Sequence, residues 1–144
     1  MKQDIPFDPV SGVSVAVVPD EPALLTAATV PDEQSVWTVY LLNDNDFELT
    51  NVLISAEGYG EQPGGEAVRT SVLRYHFASV APRSATPVEL IAPAVFHLTN
   101  QYWVSYYQGA QVFDKKFLFV PGSIVAAHLR PLARLGDHLG VLHG

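Results

Sequence analysis

Seven runs of apolar, β-branched and aromatic residues, each about the length of a strand, are set apart by clusters of Gly, Pro, Asn and Asp. That rhythm constrains the fold more than any other feature, because short apolar runs with turn residues between them can bury their side chains only as a stack of strands. The runs cover 13–18, 36–42, 49–56, 68–77, 87–92, 102–107 and 111–120. Seven strands suit a β-sandwich. Within the runs a period of two is legible. Ser71, Leu73, Tyr75 and Phe77 share one face while Arg74 and His76 share the other, and Val52, Ile54 and Ala56 oppose Ser55 and Glu57. The stretch SVWTVYLLN at 35–43 is apolar on both faces, which predicts a central strand covered on its second side as well.

The punctuation fits the same picture. Asn43-Asp44-Asn45-Asp46 predicts a hairpin turn, since Asn and Asp tolerate left-handed backbone and bond their own main chain. Gln108-Gly109 predicts a tight hairpin, and 58–65 a longer glycine-rich loop with Tyr59 at its tip. Ten of the eleven prolines fall at or beyond the ends of runs, where no ladder hydrogen bond is required of them. The eleventh, Pro131, lies in the last segment, where leucines at 129, 132, 135, 139 and 142 recur at a helical spacing. Pro131, Gly136 and Gly140 oppose a long helix, so the spacing predicts a short helix over 123–129 followed by an irregular arm. The chain then divides into a sandwich domain, 1–121, and a C-terminal appendage, 122–144. Leu129, Leu132 and Leu135 are expected either to cover the open edge or face of that sandwich or to dock on a partner.

The 144 residues make one domain, and with 48% apolar and 16% charged residues the chain has the makings of a core. There is no cysteine, which excludes disulfides, thiol nucleophiles and thiolate-held metals. The net charge of -7 is unevenly distributed. Residues 1–66 hold twelve acids and one base, giving -11, and residues 67–144 hold three acids and seven bases, giving +4. The bases are scattered and the whole molecule repels phosphate, so nucleic-acid binding is not expected. Acidic loops and basic strands that neutralise each other within one domain account for the asymmetry, and self-association between unlike surfaces is the alternative. No apolar window is long enough to span a bilayer and the first residues hold no secretory apolar core, so a cytoplasmic protein is expected.

Motifs for chemistry are incomplete. Asp44, Asp46 and Glu48 have the spacing of calcium-loop ligands, but Leu49 stands where the loop needs glycine and Ser55 where it needs an acid. The glycine-rich loop lacks the Lys-Ser/Thr pair of a phosphate-binding loop and carries Glu57, Glu61 and Glu66. His76, His97, His128, His138 and His143 include no pair at three- or four-residue spacing, and no serine lies in a nucleophile elbow. No metal, cofactor or catalytic residue is therefore expected. The aromatic strand 102–107 is more suggestive, with Tyr102 and Tyr106 on one face and Trp103 and Tyr107 on the other. The second pair, beside Trp37 or Tyr40, would offer a flat surface suited to a sugar, a peptide or a second subunit.

The segments VYLLNDNDFELTNVLISAEGYG, VLRYHF and FHLTNQYWVSYYQGAQVFDKKFLFVPGSI carry a resemblance. Over roughly residues 5–125 the chain is similar to a family of small bacterial proteins, associated with the Bacteroidetes, some of which bear the label phenylalanyl-tRNA synthetase alpha subunit. The resemblance implies an immunoglobulin-like β-sandwich and no established site. A class II synthetase domain would need ATP-binding arginine motifs that this chain lacks. The expected function is thus a non-catalytic intracellular interaction or structural module with a protein partner or a second copy. A small-ligand or carbohydrate binder using the exposed aromatics is the alternative, and an enzyme of the synthetase type the third reading. Trp37, Tyr59, Trp103, Tyr107, Leu129, Leu132 and Leu135 are the candidate binding residues.

Overall fold

A strand with one apolar row hides it only against a second layer, and that requirement organises the chain. A computed structural model describes residues 10–20, 35–61 and 64–144. The expectations for prolines 6, 9, 22, 31 and 63 fall outside those residues. Among the described residues there are ten strands: β1 (Val13–Pro19), β2 (Trp37–Asn43), β3 (Leu49–Glu61), β4 (Ala67–Arg69), β5 (Leu73–Val80), β6 (Ser84–Ile91), β7 (Thr99–Gln108), β8 (Gln111–Phe119), β9 (Arg130–Leu132) and β10 (His138–His143). They form two antiparallel sheets packed against each other as a β-sandwich. The first has the order β6-β2-β1-β10-β9. The second has β4-β3-β7-β8, with β5 also paired to β3.

Each of the seven expected runs overlaps a strand, with β3, β6 and β7 extending beyond the expected bounds. The count is higher because the run 68–77 divides into β4 and β5, both of which pair with the long β3, and because the C-terminal segment adds β9 and β10. Within β3, Asn51 adopts a positive φ of 47° and the register with β7 shifts between Thr50 and Leu53. This bulge carries the chain from buried Leu49 to buried Val52 without breaking the strand.

The inner faces meet in one core. Val13, Val15 and Val17 of β1 and Trp37, Val39 and Leu41 of β2 face Val52, Ile54, Tyr102, Val104 and Phe117 across the sandwich. Trp37 meets Phe96 edge to face at 5.2 Å between ring centroids, and Tyr106 stacks on Phe113 at 5.1 Å. Such pairs add about 1 kcal/mol each beyond their buried area.

The C-terminal segment departs from the helical expectation. The helix expected over 123–129 is a single 3-10 turn at Ala126–His128, and the arm beyond it is a hairpin. β10 pairs along β1, Val15 opposite His143 and Val17 opposite Val141, and β9 adds to its far side. Proline and glycine had weakened the helix, while the open edge of β1 offered a full set of backbone partners. Gly140 permits the approach: a Cβ there would lie 2.6 Å from Leu132 Cδ1 and 2.9 Å from Val18 Cγ2. The segment therefore packs on the sandwich as part of its first sheet.

That hairpin also explains the two-sided apolar strands. Ala16, Val18 and Leu42 point away from the main core and are covered by Leu132, with Leu135 and Leu142 packed beside them. β2 is an interior strand as expected, but the centre of the sheet is β1, buried along its whole length. The 43–46 turn is likewise no hairpin: it carries the chain from β2 in one sheet to β3 in the other.

Candidate functional site

The two sheets part between the edge strands β5 and β6, and one acid bridges the gap. A bulge in β6, where the register with β2 shifts between Val39 and Tyr40, turns Glu89 toward the sandwich interior. Tyr75 reaches it from β5, its hydroxyl donating to Glu89 Oε1 at 2.6 Å, and Tyr102 from β7, donating to Oε2 at 2.8 Å. Burial and then the Glu89 hydrogen bond push the Tyr75 phenol up to about 12. Burial, reinforced by the charge and hydrogen bond of Glu89, raises Tyr102 further. Both phenols therefore remain donors at neutral pH.

Above this clasp lies a crevice of about 270 Å³. Leu73, Leu90, Ile91, Ala92 and Val95 form its apolar walls, and Tyr102 and Glu89 close one side. β3 lines the crevice beside Tyr102, and there the Gly58 N–H donates to the Thr70 hydroxyl and the Thr70 N–H to the Gly58 carbonyl, both at 2.8 Å. Asn100, almost fully buried, spends its amide on the Val95 carbonyl at 2.9 Å and that of Leu98 at 3.4 Å. At the rim Arg69 grips both oxygens of Glu57, at 3.2 and 3.0 Å.

The outer face of the second sheet is a separate surface. Trp103 and Tyr107 point outward and are 43% and 40% exposed, while Tyr102 and Tyr106 point into the core, as alternation along β7 requires. The Trp103 indole N–H donates to Asp114 and the Lys116 ammonium sits 4.4 Å from its ring centroid. Leu53 and Leu118 are exposed on the same face. Tyr59 also lies there, in β3 rather than at a loop tip, because the strand runs on to Glu61; Arg69 lies over its ring at 5.6 Å.

Other candidates are placed elsewhere. Trp37 belongs to the other sheet and is fully buried, its indole N–H donating to the Ser35 hydroxyl at 2.9 Å, so it is a core residue and not a surface aromatic. Leu132 is buried and Leu129 and Leu135 are half-buried, all three within this chain. Asp44 and Asp46 are engaged by Arg134 and Arg83, and Glu48 accepts from the Ser79 hydroxyl, so the three acids hold the inter-sheet turn. Among the described residues no three His, Asp or Glu side chains come together as a metal site would require.

The sequence reading missed Glu89. Its signal was present: it is the only acid between Glu66 and Asp114, set in the apolar run 87–92. Its inward orientation depended on a bulge that the pattern does not show. Compared with known proteins, the chain matches no family model, no curated protein and no solved structure.

Proposed function

We propose that this protein is a non-catalytic β-sandwich interaction module of the cytoplasm, working through the outer face of its second sheet, with a second copy of the chain as its first partner. One observation carries the reading: Trp103, Tyr107, Leu53 and Leu118 are exposed together on one flat face. Aromatic side chains of this kind form the energetic centres of protein interfaces. The face also bears both signs of charge, Lys116 and Arg74 with Asp114, and a two-fold contact can pair such charges with their opposites. The same reading takes the sandwich as immunoglobulin-like and the chain as akin to the bacterial family that roughly residues 5–125 resemble.

A carbohydrate-binding face is the alternative, but a sugar needs an open aromatic ring, and Lys116 covers one side of Trp103. An enzyme of the synthetase type is supported by resemblance alone. Sedimentation equilibrium of the full chain tests the first reading. The wild type is expected to dimerise with concentration, and a Trp103→Ser/Tyr107→Ser variant to stay monomeric while still unfolding in one cooperative transition. A wild type that remains monomeric at every concentration reached would overturn it.

A further inference from the structure

The inter-sheet crevice has a charge and polarity that define its occupant, independently of the outer face. Glu89 has no cationic partner: the ion pairs among the described residues use Glu57, Asp46 and Asp44. Arg69, next in the chain to the lining residue Thr70, is held by Glu57. A half-buried carboxylate without a counter-ion is costly. Two phenol hydrogen bonds take two of its roughly four acceptor sites and leave the others open.

Beyond Glu57 and Glu89 the lining offers few free hydrogen-bonding groups, chiefly the Ser71 hydroxyl and the Asn100 Oδ1. The Thr70 hydroxyl accepts from Gly58 and donates to the Ser71 carbonyl, and the Asn100 side-chain NH2 is committed to Val95 and Leu98. A polyol would find too few partners there for all its hydroxyls. An anion would meet no basic side chain among the lining residues and would be repelled by Glu57 and Glu89. The walls are aliphatic, and Leu73 and Leu90 stand at the mouth 51% and 71% exposed. At about 270 Å³ the space is just below the range of drug-sized ligand pockets, so the occupant is small.

We propose that this crevice binds a small organic ammonium, a primary amine on a short branched aliphatic body, with Glu89 as its counter-ion. The ammonium donates to the open sites on the Glu89 carboxylate. Tyr75 and Tyr102 fix the plane of that carboxylate, and the hydrocarbon lies against Leu73, Leu90, Ile91 and Val95.

Amide chemical-shift titration of the ¹⁵N-labelled full chain tests the proposal with three probes of similar shape: 3-methylbutylamine, 3-methylbutan-1-ol and 4-methylpentanoate. The amine is expected to move the Gly58, Thr70 and Asn100 signals saturably and to bind at least about tenfold more tightly than the alcohol. The carboxylate is expected to leave them unmoved. Glu89→Gln should remove the preference for amine over alcohol. Leu73→Trp, made at an exposed position, should block the mouth with Glu89 intact and keep the site testable if the Gln variant fails to fold. Equal affinity for amine and alcohol, amine shifts scattered over the acidic surface, or full binding by a folded Leu73→Trp protein would each overturn the assignment.

Discussion

Asn43 shows how much one side chain can hold in this molecule. It is fully buried at the end of β2, and its amide donates to the Phe47 and Ala81 carbonyls, both at 3.0 Å, while its Oδ1 accepts from the Asn45 N–H at 3.0 Å. It thus ties the inter-sheet turn to the far end of β5. Removing a buried group with three part-buried hydrogen bonds loses the bonds and leaves main-chain groups without that partner. Asn43→Ala is therefore expected to cost about 3 kcal/mol, read as a lower urea midpoint at unchanged slope. A loss below about 1 kcal/mol would mean that water replaces the amide. The sequence identified Asn43 as a turn residue. It could not show the partner 38 positions away, because Ala81 comes near only when the sheets stack.

At the scale of elements, the C-terminal hairpin does the most that the sequence did not foretell. Its leucines recur at three and four residues, yet Leu132 is buried against β1 while Leu139 and Leu142 lie on β10 itself. Helical spacing in a segment interrupted by Pro131, Gly136 and Gly140 is weak evidence, and the unpaired edge of β1 outweighs it. Deleting residues 122–144 would expose that edge together with Ala16, Val18 and Leu42. The truncated chain is expected to lose cooperative unfolding and to aggregate, as circular dichroism during a urea titration and light scattering would show. A truncated protein that unfolds cooperatively near the full-length midpoint would make the hairpin an accessory.

For the whole molecule, the uneven charge becomes intelligible. The three ion pairs among the described residues, Arg69 with Glu57, Arg83 with Asp46 and Arg134 with Asp44, each join a base of the second half to an acid of the first. The tyrosines set the response to alkali. Burial and Glu89 push Tyr75 up to about 12, burial pushes Tyr106 to about 12, and Tyr102 goes higher. In the unfolded chain all three ionise near pH 10. Above that pH the folded protein holds more protons than the unfolded, so stability is full below pH 10 and falls as pH rises toward 12. Tyr102, the most deeply buried, contributes a fall of about 1.4 kcal/mol per pH unit, and the two more solvent-screened phenols less. Tyrosinate absorbance should show part of the six tyrosines ionising only with unfolding, and Tyr102→Phe should flatten the alkaline slope. An unchanged slope in that variant would remove Tyr102 as the cause.

The sequence by itself determined that the chain is all-β, where seven of its strands lie, and which face of β7 is core, because period-two burial and turn residues act over a few neighbouring positions. Tertiary structure decided the rest. It enclosed Trp37, turned the last segment into two strands, and set Glu89 against Tyr75 and Tyr102 across a gap between sheets. Those outcomes depend on which sheet each strand joins and on single-residue bulges in β3 and β6. A one-residue bulge reverses which face every later side chain occupies, and the packing that selects it exists only when both layers are assembled.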